Sequence, residues 1–359
     1  MKILGIETSC DETAAAVVEL SNKGDLKLLS NIVASSIDLH KVYGGVVPEI
    51  AARSHIEHIH PVVKQSLEEA DCGWGDIDGI AVTYGPGLGG SLLIGVLTAR
   101  TLSVLHNKPL YAINHVEAHV YAAFINKTSK KLSGPYKLPS SQPAFPLLGL
   151  IVSGGHTQLT FFKNHFDFQT IGRTTDDAVG EAFDKVAKML ALPYPGGPSI
   201  ERLAQKGDAR KFKLPKARMS NKYDFSYSGL KTAVLRTAQK EIGEDYNFSS
   251  HLLAERLSEQ QKADLAASFC YTAIETLVDK TLAAYEELRP KSVVIAGGVS
   301  ASAELRRQIA PRLSVEAHIP DIKLCTDNGA MIAALGCYHA VAKQSVNPKS
   351  LEISPSLKT

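Results

Sequence analysis

Two stretches of this chain are built alike, and that repetition limits the fold more than any other feature. Residues 3–6 are apolar, Glu7-Thr8-Ser9-Cys10-Asp11-Glu12-Thr13 is polar, and residues 14–20 are apolar again. About 145 residues later, 147–152, Ser153-Gly154-Gly155-His156-Thr157 and 158–162 repeat that order. Each reads as strand, polar turn, strand. Two such openings imply two related α/β halves facing each other. A length of 359 residues agrees, being more than one ordinary core holds. Residues 126–146, rich in Lys, Ser and Pro and without periodicity, read as the linker or a surface loop.

Further elements follow from pattern. Residues 77–83 read as a buried strand, followed by Gly85-Pro86-Gly87-Leu88-Gly89-Gly90-Ser91 and a helix over 92–105. Val179, Phe183, Val186, Ala187 and Leu190 fall at helical spacing within 176–190. Residues 257–288 make one or two helices, and 292–296 form a β-branched strand opening into Gly297-Gly298-Val299-Ser300. Cys325-Thr326-Asp327-Asn328-Gly329 then starts a last apolar helix that runs through Leu335.

Bulk properties exclude several classes. A net charge of +2 provides no global field for nucleic acid, so DNA is not expected and any RNA contact must be a local patch. Five scattered cysteines without a CxxC argue for a reducing compartment and against a thiolate metal site. Met1-Lys2 leads directly into an apolar strand, with no export or transit pattern and no membrane-length run, so a cytoplasmic protein is expected.

His115-Val116-Glu117-Ala118-His119 follows a strand and a capping Asn114. Two imidazoles four residues apart on a helix point the same way, one turn apart, which suits metal chelation. A protease reading fails because Val116 stands where a zincin needs Glu, and Glu117 is rotated away from the pair. Three polar turns, at 8–13, 153–157 and 297–302, each follow a short apolar strand. Spread over two similar halves, they fit a nucleotide gripped in an interdomain cleft. No Walker A or GxGxxG pattern occurs. Asp327 reads either as an N-cap or as a third ligand; two nitrogens and one oxygen suit iron or zinc better than magnesium. Asp177, Glu181 and Asp184 share a helix face that could present carboxylates to a ribose or an ammonium. Tyr194-Pro195-Gly196-Gly197-Pro198-Ser199 is a rigid turn able to pass over a base or sugar. Lys206, Arg210, Lys211, Lys213, Lys216, Arg218, Lys222 and Lys231, with Tyr223, Phe225 and Tyr227 interleaved, suggest an RNA-contacting strip.

The strings GIETSCDET, YGGVVPEIAAR, GPGLGGSLLIG, NHVEAH, VSGGHTQL, DDAVGEAFDK, YPGGP, FSYSGLKTA, AGGVSAS and CTDNGAMIA occur in the order found in the bacterial TsaD family, related to the KEOPS catalytic subunit. The resemblance covers about residues 2–340. It implies an actin/hexokinase/sugar-kinase-like (ASKHA) duplicated two-domain α/β fold with an interdomain nucleotide cleft. The implied divisions are 1–142 (first lobe, with HxxxH), 143–325 (second lobe, with adenylate loops), 326–345 (a C-terminal helix packing back on the first lobe) and 346–359 (tail). It further implies transfer of a threonylcarbamoyl group from threonylcarbamoyl-AMP to N6 of the tRNA adenosine following the anticodon, in tRNAs reading codons that begin with A. His115, His119 and Asp327 would hold one divalent metal per subunit, iron before zinc, as a Lewis acid, and would be the catalytic set. Ile151, Val152, Ser153, Gly154, Gly155, Asp184 and Gly197 would line the adenylate pocket. Ser302 stands where the family string GGVSAN has Asn, and it reaches less far. The implied partners are tRNA, a TsaB-like paralogue and a TsaE-like ATPase. The competing reading is an ATP-dependent small-molecule kinase of the same fold, against which Glu7 stands where such kinases keep Asp. A non-catalytic nucleotide switch is a third. The older idea of a secreted glycoprotease is disfavoured by Val116 and by the expected compartment.

Overall fold

A computed structural model describes residues 1–132 and 134–358. The chain separates into two compact units, residues 1–143 with 318–359, and residues 144–317. In the first unit β1 (Lys2–Glu7), β2 (Glu12–Leu20) and β3 (Leu26–Ser35) form an antiparallel meander. Then come α1 (Ile37–Lys41), α2 (Pro48–Glu69), β4 (Gly79–Gly85), α3 (Gly89–His106), β5 (Leu110–Asn114), α4 (His115–Tyr121) and β6 (Ile125–Thr128). The sheet runs β5-β4-β1-β2-β3-β6, with β4 parallel to both β1 and β5. Residues 126–128, expected to begin a linker, instead continue β6 from the fully buried Ile125 and pair it with β3 at the sheet edge.

The second unit repeats the plan. β7 (Leu147–Val152), β8 (Thr157–Phe162) and β9 (Phe168–Arg173) form the meander. After them come α5 (Val179–Met189), α6 (Gly196–Ala204), α7 (Ser228–Glu241), α8 (Leu253–Arg256) and α9 (Glu259–Leu288), then β10 (Ser292–Ala296), α10 (Ala303–Ile309) and the short β11 (Ala317–His318). β10 lies parallel beside β7 as β4 lies beside β1, in the order β11-β10-β7-β8-β9. The span 257–288 is essentially one helix, begun by a capping box between Ser258 and Gln261. The chain then returns to the first unit as α11 (Gly329–Val341).

Parallel strands beside a meander place several strand ends on one edge, where ligands of open α/β sheets bind. In the first unit those ends are Glu7, Gly85 and Asn114. α3 is the one described helix long and apolar enough to cross a membrane. Its Val96 and Ala99 nonetheless belong to the core with Leu4, Ile6, Val62 and Val82. Glycines before and within it pass close to protein: a Cβ on Gly87 would meet the Ser9 carbonyl at 2.6 Å, and one on Gly95, in the helix, would meet Thr8 Oγ1 at 2.2 Å. Residues 346–355 are docked, not free: Val346 bridges Leu110, Arg100 donates to the carbonyls of Pro348, Lys349 and Leu351, and Ser354 donates to that of Tyr84.

α11 lies directly on β1. A Cβ on Gly5 would meet the Gly329 carbonyl oxygen at 2.3 Å and the Ala333 nitrogen at 2.4 Å, and one on Gly329 would meet the Ala16 nitrogen at 2.5 Å. Backbone atoms cannot move aside as a side-chain end can. Gly5→Ala should therefore destabilise the protein by about 1–3 kcal/mol, read as a lower urea midpoint. Gly154→Ala, where a Cβ meets nothing within 4 Å, should stay within about 0.5 kcal/mol of the parent.

Candidate active site

Asn114 ends β5 and caps α4, its side chain accepting from the Val116 nitrogen at 2.9 Å and the Glu117 nitrogen at 3.4 Å. This cap sets the helix phase, so His115 and His119 project from one face, their ring centroids 4.8 Å apart. Asp327 arrives from the other end of the chain. The N-cap of α11 is Asn328, which accepts from the Met331 nitrogen at 3.0 Å. The capping alternative for Asp327 is thus taken by its neighbour, and the Asp327 carboxylate turns to the imidazoles: Oδ1 is 3.6 Å from His115 Nε2 and 3.4 Å from His119 Nε2.

One ligand atom from each of His115, His119 and Asp327 falls within a 4.8 Å circle. Ligands ~2.0–2.1 Å from a tetrahedral cation are about 3.3–3.4 Å apart, close to the two nitrogen–oxygen distances. The donor set and these two distances suit a cation, while the widest separation within the trio, up to 4.8 Å, is larger than that spacing. Both rings are buried, while the Asp327 side chain keeps 18% of its surface exposed, enough to leave one side open.

The electrostatics agree. Burial alone would depress the His115 pKa, but Asp327 and Glu7 outweigh it and raise it to about 9. Burial pushes Asp327 up to about 6, against the pull of His115 and aided by Glu7 and Asp11. Burial also opposes the charge on Glu7, yet His115, Thr83 and the Ser9 nitrogen hold it below the ordinary carboxylate range. Glu12 is raised by burial, then by Asp327 and Asp11. The pocket carries excess negative charge and retains a proton on His115 where a cation would otherwise sit. Glu117 is separate; burial raises it to about 7, and its charge acts on Tyr84 and Tyr121.

The remaining predicted residues lie in the second unit, and they form a ring of contacts at the carboxyl ends of β7 and β10. Ile151 and Val152 end β7. Ser153 and His156 close the turn, Ser153 N donating to the His156 carbonyl at 2.8 Å. A Cβ on Gly297 would meet the Val152 oxygen at 2.4 Å, and one on Gly180 would meet the Ser153 oxygen at 2.7 Å. Thr157 Oγ1 accepts from the Val179 nitrogen at 2.8 Å, which ties the turn to the start of α5. On that helix Asp184 Oδ1 accepts from the Gly196 nitrogen at 2.7 Å, and burial raises its pKa to about 6 against that bond. Ser302 caps α10 and donates to Glu201 on α6, which closes the ring. Gly154, Gly155 and Gly197 face open space. Beside Glu201 a cavity of about 210 Å³ is lined by Cys270, Tyr271, Glu304 and Arg307.

Two sequence readings are corrected. The aromatic part of the basic-aromatic strip is not surface: Tyr223, Phe225 and Tyr227 are core, Phe225 and Tyr227 completely so, while Lys206, Arg210, Lys211, Lys213 and Arg218 are exposed. Lys216 pairs with Glu275 and Asp279, Lys222 with Glu287, and Lys231 with Asp177. Nor do Asp177, Glu181 and Asp184 present a shared carboxylate face. Asp177 precedes the helix and binds Lys185 and Lys231, Glu181 also binds Lys185, and Asp184 holds Gly196. Glu7 and Glu201 were not singled out as site residues; each is meaningful only through partners distant in sequence.

These features define an α/β protein of the actin/hexokinase/sugar-kinase class, with a His-His-Asp cluster in its first unit and glycine turns in its second. The comparisons make this more particular. A model of the family described as TsaD, tRNA N6-adenosine threonylcarbamoyltransferase, matches residues 27–334. The chain is 46% identical over 347 residues to the tRNA N6-adenosine threonylcarbamoyltransferase of Thermomicrobium roseum, covering 95% of this chain and 92% of that one. It is 47% identical over 339 residues to that of Bacillus cereus (strain ATCC 14579), covering 93% and 90%. Among solved structures, full-length HypF in its phosphate- and nucleotide-bound form resembles it in fold, with a TM-score of 0.55 at 12% identity over 95% of this chain and 46% of that one. The chain belongs to the TsaD family of tRNA N6-adenosine threonylcarbamoyltransferases. Its activity is threonylcarbamoyl transfer to a tRNA adenosine, and the kinase reading is not favoured.

The pKa pattern has a testable sign. His115 is raised from about 6.5 in the unfolded chain to about 9. Its contribution to stability is complete below pH ~6.5 and is lost as pH rises toward 9. Urea unfolding of the metal-free protein in chelator should show stability falling across that window, with a flatter profile for His115→Gln. A parallel profile for the variant would contradict the assignment.

Proposed function

We propose that His115, His119 and Asp327 hold one divalent cation per subunit, iron before zinc, and that threonylcarbamoyl-AMP is the donor for transfer to tRNA. The observation that carries this is the convergence of two imidazole nitrogens and a carboxylate oxygen within 4.8 Å of one another, in a chain of the transferase family. A bound cation would supply Lewis acidity and a fixed anchor for donor oxygens.

The chain's own residues supply the rest. The turn from Ile151 through Val152 and Ser153 to Gly154 and Gly155 offers backbone N–H groups without side chains in the way, which suits a phosphate. Asp184, Gly197 and Ser302 lie on the same ring and line the nucleoside side, with the cavity beside Glu201 for the base. The nucleotide-bound form of HypF supports use of this fold for a nucleotide. A carbamoyl–phosphate mixed anhydride is already activated, so no covalent enzyme nucleophile is needed. The task is to orient a weakly nucleophilic exocyclic amine and to stabilise charge on the departing AMP.

A TsaB-like paralogue and a TsaE-like ATPase complete the proposed system, in the cytoplasm. Exposed Leu93, Leu97, Val104 and Leu105 along α3 support a protein partner.

Reconstitution tests the reading: unmodified tRNA, threonylcarbamoyl-AMP and the partners added singly, followed by nucleoside mass analysis. His115→Ala or His119→Ala should lower modification by at least about 10²-fold, while tRNA retention on a filter stays nearly intact. Full modification by either variant, or loss confined to tRNA binding, would overturn the metal assignment.

A further inference from the structure

His115 uses its second ring nitrogen in a way that the ligand trio does not account for. Nδ1 lies 3.0 Å from Glu7 Oε2 and 3.1 Å from Ser9 Oγ. Glu7 has no exposed surface and is itself fixed from two directions. Thr83 Oγ1 donates to Oε2 at 2.6 Å, and the Ser9 backbone N–H donates to Oε1. These residues sit at or near the carboxyl ends of three adjacent parallel strands, β1, β4 and β5, so the sheet itself sets the spacing. We propose that Glu7 is the positioning residue of the site: it holds the proton on His115 Nδ1 and thereby leaves Nε2 as the atom offered to the cation.

Donor and acceptor capacity fixes where the proton sits. An ionised carboxylate only accepts, so the bridging proton must belong to His115 Nδ1. Imidazole is then left with its lone pair on Nε2, the nitrogen 3.6 Å from Asp327. A carboxylate behind a ligating imidazole also raises its basicity and locks the ring, and removing such a partner typically weakens metal binding about 10- to 100-fold. Glutamine cannot substitute. Oε2 receives donors from Thr83 and His115 while Oε1 receives one from Ser9, and an amide has only one oxygen for these two places. Either its NH2 opposes the Ser9 N–H, or it donates to Nδ1 and moves the imidazole proton to Nε2.

The inference rests on the trio binding a cation, and the experiment separates the two. Co(II) serves as the probe, its affinity measured by chelator competition and its visible absorption. If wild-type protein shows no Co(II) band, the metal reading fails. If it binds, Glu7→Gln should bind 10- to 100-fold more weakly with a circular dichroism spectrum close to the parent. Thr83→Val, which frees Glu7 from one donor, should lose a few-fold. A folded Glu7→Gln with affinity within threefold of wild type overturns the inference. Should that variant not fold, 15N NMR of wild-type protein loaded with Zn(II) decides: Nδ1 protonated and Nε2 ligating supports the assignment, and the opposite tautomer overturns it.

Discussion

The cluster in the first unit depends on how closely α11 can approach β1. Asp327 is more than 200 residues from the histidines in sequence, and nothing local brings it to them. Glycine at 5 and at 329 lets strand and helix backbones touch, which no side-chain-bearing pair would allow. Asn328 then satisfies the first turn of the helix. Asp327 is left facing the carboxyl edge of the sheet rather than its own backbone. Two missing Cβ atoms and one cap therefore place the Asp327 carboxylate beside the imidazoles.

That placement has an electrostatic cost which other residues offset. Glu7 and Asp327 are both carboxylates in a largely dry pocket, with Glu12 close enough to feel Asp327. An unpaired buried charge is expensive. The imidazolium of His115 balances part of it, and Thr83 and the Ser9 N–H stabilise the deepest carboxylate. A divalent cation would relieve the same imbalance more completely than one proton can. The pocket's preference for positive charge is thus built into the fold.

Legibility in sequence followed the range of the interaction. The HxxxH pair and its Asn cap could be read because all their geometry lies within one helix turn. The duplicated meander could be read because strand-turn-strand patterning is local. The choice between capping and ligation at Asp327 could not, since Asp327 and Asn328 are both good caps and only the packing of α11 decides between them. Tyr223, Phe225 and Tyr227 alternate with polar residues among lysines, which resembles an RNA surface. Their rings are instead buried, and nearby lysines are held by Asp177 just before α5 and by carboxylates on α9. The Glu7–His115 contact was invisible for a different reason: it joins the ends of two strands whose adjacency to β4 is a property of the sheet.

Duplication also explains why the two units differ in chemistry while sharing a plan. The turn after β1 and the turn after β7 occupy equivalent positions, each linking the first two strands of a meander beside a parallel neighbour. The first is loaded with Glu7, Asp11 and Glu12 and backed by Gly95 of α3 against Thr8 and by Gly87 against Ser9, so it favours positive charge. The second carries Ser153, Gly154 and Gly155, with no acidic side chain and with open space where two Cβ atoms would stand. Its exposed N–H groups, tied to the start of α5 through Thr157, favour negative charge. The same strand-turn-strand plan thus supports opposite electrostatic preferences, set by the residues in its turn.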